Sequence, residues 1–385
     1  MEHDVGVNKL QQLHLGASNS VTSEQISPLL TNQIEGSQDI QHLQDTNKEL
    51  PKLLDYASYL IHLAVFGILG VLTRYTLDKL FGPSVGHVTS DQTILYLDLP
   101  SNMVGSFLMG WFGVVFKEDI SNVSEHLAVA LTTGYLGSLT TFSGWNQKML
   151  QLSVTGNWLY VVLGYLIGLF LVAFSIIFGI ETAKGFRWFL RRRNTSASET
   201  SRHKIKANVK SFKNHLIVMV VLLLILGLLW CVSGVLVISE FKNDENSFLW
   251  IGCIVGPLGV WIRWLLAPLN RHGLGSTCFL NWIPFGTLIA NVSAACIMAA
   301  LATTKIYVNT RDCDTIIKGI QFGLLGCLST VSTFVAEFNE MRESMHPWRA
   351  YVYYVITICS SFFLGILIFC IPIWRLDDRL HNFDN

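Results

Sequence analysis

Asn102 and Asn291 lie inside apolar stretches of a 385-residue chain. A carboxamide at membrane depth can donate to an anion without bringing the full charge that would trap it. Tyr353, Thr357 and Ser361 follow one another at i, i+4 and i+8, which sets three hydroxyls on nearly one helix face. Phe142 and Phe334 flank stretches rich in small residues, and a phenyl ring has an electropositive edge that a small anion can meet. Arg74 and Arg263 end apolar segments, where a cation draws anions into a vestibule. This is chemistry for holding an anion lightly and passing it on. Plainer readings stay open for each group. Asparagines and hydroxyls also glue helices together, terminal arginines snorkel, and phenylalanines pack.

These side chains need a bilayer-sized scaffold. The chain is 51% hydrophobic and 14% charged, with a mean hydropathy of +0.44, whereas a soluble domain is about a quarter charged. It therefore reads as an all-α integral membrane protein. The formal net charge is zero, which gives no footprint for nucleic acid. The eight cysteines form no CxxC pair and fall mostly in apolar runs, as buried thiols do. No Walker motif or HExxH is present, so these usual signs of an enzyme are missing.

A spanning helix takes about 20 apolar residues. Nine segments qualify, at roughly 56–80, 93–116, 126–150, 157–180, 215–239, 247–268, 280–303, 315–340 and 350–374. The third and eighth are interrupted by Gly, Ser and Thr. Within the third, GYLGSLTTFS at 134–143 reads as a helix that breaks, which a bilayer tolerates only where protein or a wet cavity covers the backbone. Residues 184–213 carry ten Lys and Arg against one acid, Glu199. The positive-inside rule makes that loop cytoplasmic. Four spans precede it and five follow, so the N-terminus is expected inside and the C-terminus outside.

Gly67–Tyr75 and Gly256–Trp264 match, with Arg74 and Arg263 a distance of 189 apart. The same offset relates Asn102 to Asn291, Gly134 to Gly323, Gly137 to Gly326, Thr141 to Thr330 and Ser143 to Ser332. One offset held across three helices is a duplication. The expected domains are a polar cytoplasmic tail at 1–52, a first four-helix repeat at 53–182, a basic linker at 183–214, a linking span at 215–240, a second repeat at 241–375 and a tail at 376–385. A single span between even-numbered repeats turns the second one over, so the chain is expected to be a pseudo-dimer of inverted repeats. That inversion sets Arg74 near the outer face and Arg263 near the inner. In the fourth helix the best match to the hydroxyl ladder is Tyr160, Gly164 and Gly168, at an offset of 193.

The sequence resembles the Fluc/CrcB fluoride channel family in its duplicated eukaryotic form. Family motifs GxxGAxxRY, GTLxVN and GxxGGxTTFSTFxxE are matched by Gly67–Tyr75 and Gly256–Trp264, by GTLIAN ending at Asn291, and by GYLGSLTTFS and Gly323–Glu337. The resemblance spans about 56–374. It implies a plasma-membrane channel that exports fluoride passively. It further implies pores lined by Asn102 or Asn291, by Phe142 or Phe334, and by Tyr353, Thr357 and Ser361. Glu337 falls on the family's acidic position, and Arg74 and Arg263 belong with it in the vestibules. A structural sodium ion is implied at the centre, held by the carbonyls of Gly137, Thr140, Gly326 and Ser329.

The departures are uneven. Copy one reads TTFSGW, with Phe142 kept and Trp145 in the second ring position; copy two reads STVSTF, with Val331 in the first and Phe334 kept. Lys148 stands where copy two has Glu337, and LDLPSN replaces the helix-two motif in copy one. One ring box is complete, and the ladder occurs once. The expectation is one working and one vestigial pore. A proton-coupled transporter of a small anion is the alternative, since inverted repeats and broken helices suit both.

Overall fold

The computed structural model describes residues 51–90, 93–194, 212–241, 246–272 and 281–376, and among these there are helices and no strand. All but the last two residues of the expected N-terminal tail, the middle of the basic linker and all but the first residue of the C-terminal tail lie outside the described residues.

Helix α1 (Lys52–Phe81) opens behind Pro51 with Asp55 in its first turn, an acid where the helix dipole favours one. Helix α2 (Leu99–Met109) has Pro100 at its start, where a missing N–H costs nothing, and runs on as a π-helical turn through Gly110–Val115. Helix α3 (Lys117–Val123) follows at a bend of 66°. Helix α4 (Glu125–Val129) continues through a π turn and a last short turn to residue 139. Helix α5 (Phe142–Val154) starts after the break. Helix α6 is Trp158–Asn194, so helix persists well into the expected linker. Helix α7 (Phe212–Glu240) stands between the two copies, where the linking span is expected.

The second copy begins with α8 (Ser247–Leu266), which holds Pro257 inside it, and a short α9 (Leu269–His272). Then come α10 (Phe285–Val308) and α11 (Arg311–Ile320), the latter continuing helically to residue 328. Helices α12 (Ser332–Glu343) and α13 (Trp348–Gly365) complete it, and α13 extends through a π turn to Cys370.

Among the described residues seven helices are long and apolar enough to cross a membrane, or eight if the bent pair α2–α3 counts as one span. The nine expected segments include 126–150, which is absent from that count because the helix stops at Thr140 and Thr141. Their extended angles (φ −103°, ψ 145° and φ −137°, ψ 127°) end one helix and start another. The matched break in the second copy is centred on Ser329 (φ −80°, ψ 157°).

The first helices of the two copies run antiparallel. Tyr75, late in α1, donates to Asn246 Oδ1 just ahead of α8 at 2.6 Å, and Trp261, late in α8, donates to the Leu60 carbonyl, early in α1, at 3.0 Å. Helix α7 packs on both, yet only 11% of its most apolar window is buried. Its rows of exposed Leu, Ile and Val suit lipid, where a polar face would not survive.

Candidate functional site

The two breaks meet in the middle of the molecule and cap each other. Thr140 Oγ1 accepts from the backbone N–H of Ser332 at 3.0 Å and of Val331 at 3.2 Å. In return Ser329 Oγ accepts from Ser143 N–H at 3.1 Å. Ser332 Oγ donates to the Leu136 carbonyl (3.1 Å), and Ser143 Oγ to the Leu325 carbonyl (3.3 Å). The Ser332 and Ser143 contacts are mates 189 residues apart, with the copies exchanged; the Val331 contact is made in one direction. Such reciprocity is the mark of a two-fold relationship. It also explains the hydroxyl-rich sequence. A broken helix exposes N–H and C=O groups that must be satisfied inside the bundle, and short hydroxyl side chains do so with little bulk.

Asn102 and Asn291 pin these breaks. Asn102 Oδ1 accepts from Thr141 N–H at 2.8 Å while its Nδ2 donates to the Thr141 carbonyl at 3.1 Å. Asn291 does the same to Thr330, at 2.8 and 3.1 Å. The amides differ in their remaining proton. Asn102 Nδ2 also donates to Tyr96 Oη at 3.1 Å, whereas among the described residues Asn291 Nδ2 has the one acceptor.

The arginines lie further in than the expected vestibule mouths. Arg74 is 0% and Arg263 6% exposed. Arg263 Nη1 donates to the Gly137 carbonyl (2.6 Å) and reaches the Ser329 carbonyl (3.4 Å), and its Nη2 donates to the Thr133 carbonyl (2.6 Å). Arg74 Nη2 donates to the Phe322 carbonyl, the matched partner, and its guanidinium stacks on the Phe322 ring at 4.4 Å. The Gly137 and Ser329 carbonyls lie at the ends of the broken helices, where carbonyls carry negative partial charge that helps to hold Arg263 inside, while Arg74 meets the Phe322 carbonyl in the π turn ahead of its break. Glycine is required beneath them, because a Cβ at Gly137 or Gly326 would overlap the Arg263 or Arg74 head group. The oxygen-only donor set formed by the Gly137, Thr140, Gly326 and Ser329 carbonyls fits the chemistry of a hard cation. Arg263 already engages two of those four carbonyls.

Around this shared centre the two halves diverge. Phe142 and Phe334, one from each copy, meet edge to face with centroids 6.0 Å apart, and Phe334 sits 5.1 Å from Tyr353. Tyr353, Thr357 and Ser361 are all wholly buried. Tyr353 Oη donates to Glu337 Oε2 at 2.9 Å, Thr357 donates back to the Tyr353 carbonyl, and Ser361 Oγ has no partner among the described residues. Glu337 also accepts from Thr287 (2.7 Å) and Asn270 (3.0 Å).

In the other half the offset stays at 189. Tyr354 Oη donates to the carbonyl of Tyr165, its own counterpart, at 2.9 Å. The ladder positions are therefore Gly164, Gly168 and Val172, all buried. Tyr160, the expected counterpart of Tyr353, is 44% exposed and belongs to the outer surface. Trp145, the counterpart of Phe334, lies against Gly168 and stacks on Tyr96 with centroids 5.7 Å apart and planes 6° from parallel. Val331, the counterpart of Phe142, is buried and apolar.

A cavity of about 850 Å³ opens beside Tyr96, Asp98, Lys148, Lys318 and Arg311. A smaller one of about 210 Å³ is lined by Arg74, Asp98, Lys318, Gln321 and Gly326. Lys148 and Asp98 occupy the places that Glu337 and Thr287 hold in the second copy. Among the described residues no group of His, Cys, Asp and Glu side chains is placed to hold a metal ion. Sequence reasoning passed over Tyr96 and Asn270. Neither belongs to a repeated motif, and each becomes visible only through the Asn102 amide and the Glu337 carboxylate that it touches.

Apolar helices carrying mutually capped breaks, and buried donors with no reacting group beside them, define a duplicated helical membrane protein. The family model described as "CrcB-like protein, Camphor Resistance (CrcB)" matches twice, at residues 61–180 and 250–369. The chain is 32% identical over 126 residues to "Fluoride-specific ion channel FluC 2" of Listeria monocytogenes, covering 30% of this chain and 87% of that protein. It is 32% identical over 133 residues to "Fluoride-specific ion channel FluC 1" of Staphylococcus aureus, covering 34% and 80%. For the Staphylococcus epidermidis protein of that name the figures are 33% over 123 residues, 32% and 88%. No solved structure matches. The chain belongs to the CrcB family, with two family units in one polypeptide, and it is not an enzyme.

Proposed function

We propose that this chain is a passive, fluoride-selective channel that exports cytoplasmic fluoride and confers fluoride resistance. The observation that carries the reading is the buried pair Phe142–Phe334 at 6.0 Å beside the hydroxyl ladder of Tyr353, Thr357 and Ser361, in a chain whose relatives are named fluoride-specific ion channels. Ring edges, hydroxyls and an amide replace the ion's water without a fixed charge to trap it. An inside-negative potential drives the anion outward with about 2.3 kcal/mol per 100 mV.

The architecture that supports this has nine spans. The antiparallel α1 and α8 and the exchanged contacts at the breaks support inverted repeats folded as a single-chain pseudo-dimer. With the basic linker in the cytoplasm, the N-terminus is inside and the C-terminus outside a plasma membrane. One pore works, because Phe142 and Phe334 complete one ring box and only the second copy has the ladder. A sodium ion among the carbonyls of Gly137, Thr140, Gly326 and Ser329 belongs to the same reading. There it shares the Gly137 and Ser329 oxygens with Arg263.

Fluoride flux from sealed liposomes, followed with a fluoride electrode under imposed voltage or proton gradients, tests the reading. Voltage alone is expected to drive flux. Flux that needs a proton gradient would replace the channel with a proton-coupled transporter. Within the channel reading, Phe142→Ala and Phe334→Ala are expected to abolish flux and Val331→Ala to spare it. Equal damage from all three would end the one-pore assignment.

A further inference from the structure

We propose that Trp145 is the plug that closes the second pathway, seated in a slot left by Gly168, with Met149 filling the neighbouring space at Gly164. The inference rests on the one-pore reading and goes past it. The silent half is shut by a particular side chain, and is not merely short of pore-lining groups.

The slot is built by the sequence. Along α6 the positions that match Tyr353 and Thr357 are glycines, so that helix face has a groove where its counterpart has a ridge. A Cβ at Gly168 would overlap the benzo ring of Trp145, and one at Gly164 would overlap the Met149 thioether. The groove is thus filled by α5, and the hydroxyls of a ladder would have no room in it.

The indole is held on every side. It is wholly buried. It stacks on Tyr96 at 5.7 Å, lies 5.7 Å from the Tyr165 ring and meets Phe142 edge-on at 6.1 Å. Its Nε1 edge faces Gly168, where a Cβ would come within 3.1 Å. That N–H has no acceptor among the described residues, and Gly168 on α6 offers it no side-chain partner.

Polar groups lie beside the plug. Asn102 uses its second amide proton on Tyr96, the plug's stacking partner. Tyr165 Oη donates to Asn146 Oδ1 at 2.8 Å, while Asn146 Nδ2 is buried without a partner. Removing the indole would return a space bordered by Asn146, Tyr165 and Tyr96. A cavity with several polar partners fills with water, and a hydrated, donor-lined gap passes small anions.

The test is gain of flux in a chain whose working pore has been disabled. Phe334→Ala, Phe334→Ala/Trp145→Ala and Phe334→Ala/Trp145→Leu are purified, checked for monodispersity and thermal stability, and assayed in liposomes for fluoride and chloride. Leucine is included because it keeps apolar volume where alanine would collapse the fold. Phe334→Ala alone is expected to show no flux. The double variants are expected to conduct fluoride again, with poorer exclusion of chloride because Val331 supplies no ring edge. Folded double variants that remain silent overturn the plug and leave the one-pore reading standing. Substantial flux through Phe334→Ala with Trp145 in place overturns the one-pore reading itself.

Discussion

Thr140 Oγ1 lies 3.0 Å from the amide nitrogen of Ser332, so a side chain of the first copy starts a helix of the second. The same oxygen also contacts Val331 N, Thr330 Oγ1 and Ser332 Oγ at 3.1–3.2 Å. Thr140→Val keeps the shape and removes the acceptor. Two buried N–H groups lose their partner at a cost of about 1–3 kcal/mol each. The expected outcome is a lower melting temperature in detergent and in lipid, with Thr140→Ser close to the parent. A Thr140→Val protein as stable as the parent would show that the exchanged caps contribute nothing.

The asparagines are expected to separate in function and agree in stability. Each holds the break of its own copy, so Asn102→Leu and Asn291→Leu should destabilise by similar amounts, about 2–4 kcal/mol from two hydrogen bonds and the buried groups they satisfy. In Asn102 the second amide proton is bonded to Tyr96. The residual flux of folded protein is expected to fall further for Asn291→Leu. Thermal melts paired with liposome flux check both halves of the statement.

Glu337 gathers Tyr353, Thr287 and Asn270, three donors on one carboxylate. Glu337→Gln exchanges one acceptor oxygen for an NH₂ group that faces a donor. Lost stability of about 1–3 kcal/mol and lower fluoride flux are expected together, since Tyr353 leads the ladder. Lys148→Gln, at the matched place beside the large cavity, is expected to leave flux near the parent's. Flux measured at matched protein density decides it.

Arg263 serves three carbonyls, while Arg74 Nε and Nη1 have no partner among the described residues. Arg263→Gln is therefore expected to lower the melting temperature more than Arg74→Gln does. It also removes a cation from beside the carbonyls assigned to sodium, where like charges about 4 Å apart repel by about 4 kcal/mol at an effective dielectric of 20. The gain in melting temperature from N-methyl-glucamine chloride to sodium chloride should then be larger in Arg263→Gln than in the parent. An ion bound only to the folded state stabilises by about 1.4 kcal/mol for each tenfold excess over its dissociation constant. No sodium effect in either protein would remove sodium from the site.

Much of this was legible in the residues. Broken helices follow from Gly, Ser and Thr at membrane depth. Duplication follows from an offset of 189 that relates Arg74 to Arg263 and Asn102 to Asn291. The unequal rings, Phe142 with Trp145 against Val331 with Phe334, can be read by eye. These are local facts of residue type and spacing, and a bilayer leaves the backbone few ways to satisfy them.

Other features needed the tertiary structure. Periodicity places Arg74 and Arg263 near helix ends, but only packing shows both turned inward onto carbonyls of the segment that leads into the other copy's break, because attraction to those oxygens outweighs snorkelling to the surface. The match of Tyr160 to Tyr353 looked natural in sequence. Burial settles the register on Gly164, since a face turned to lipid and a face turned to the core can carry the same residue type. The sequence of this protein determined where its helices break and which residues its halves share. The fold decided which hydroxyl caps which amide, and that Trp145 rests against Gly168, because both depend on contacts that the sequence pattern does not reveal.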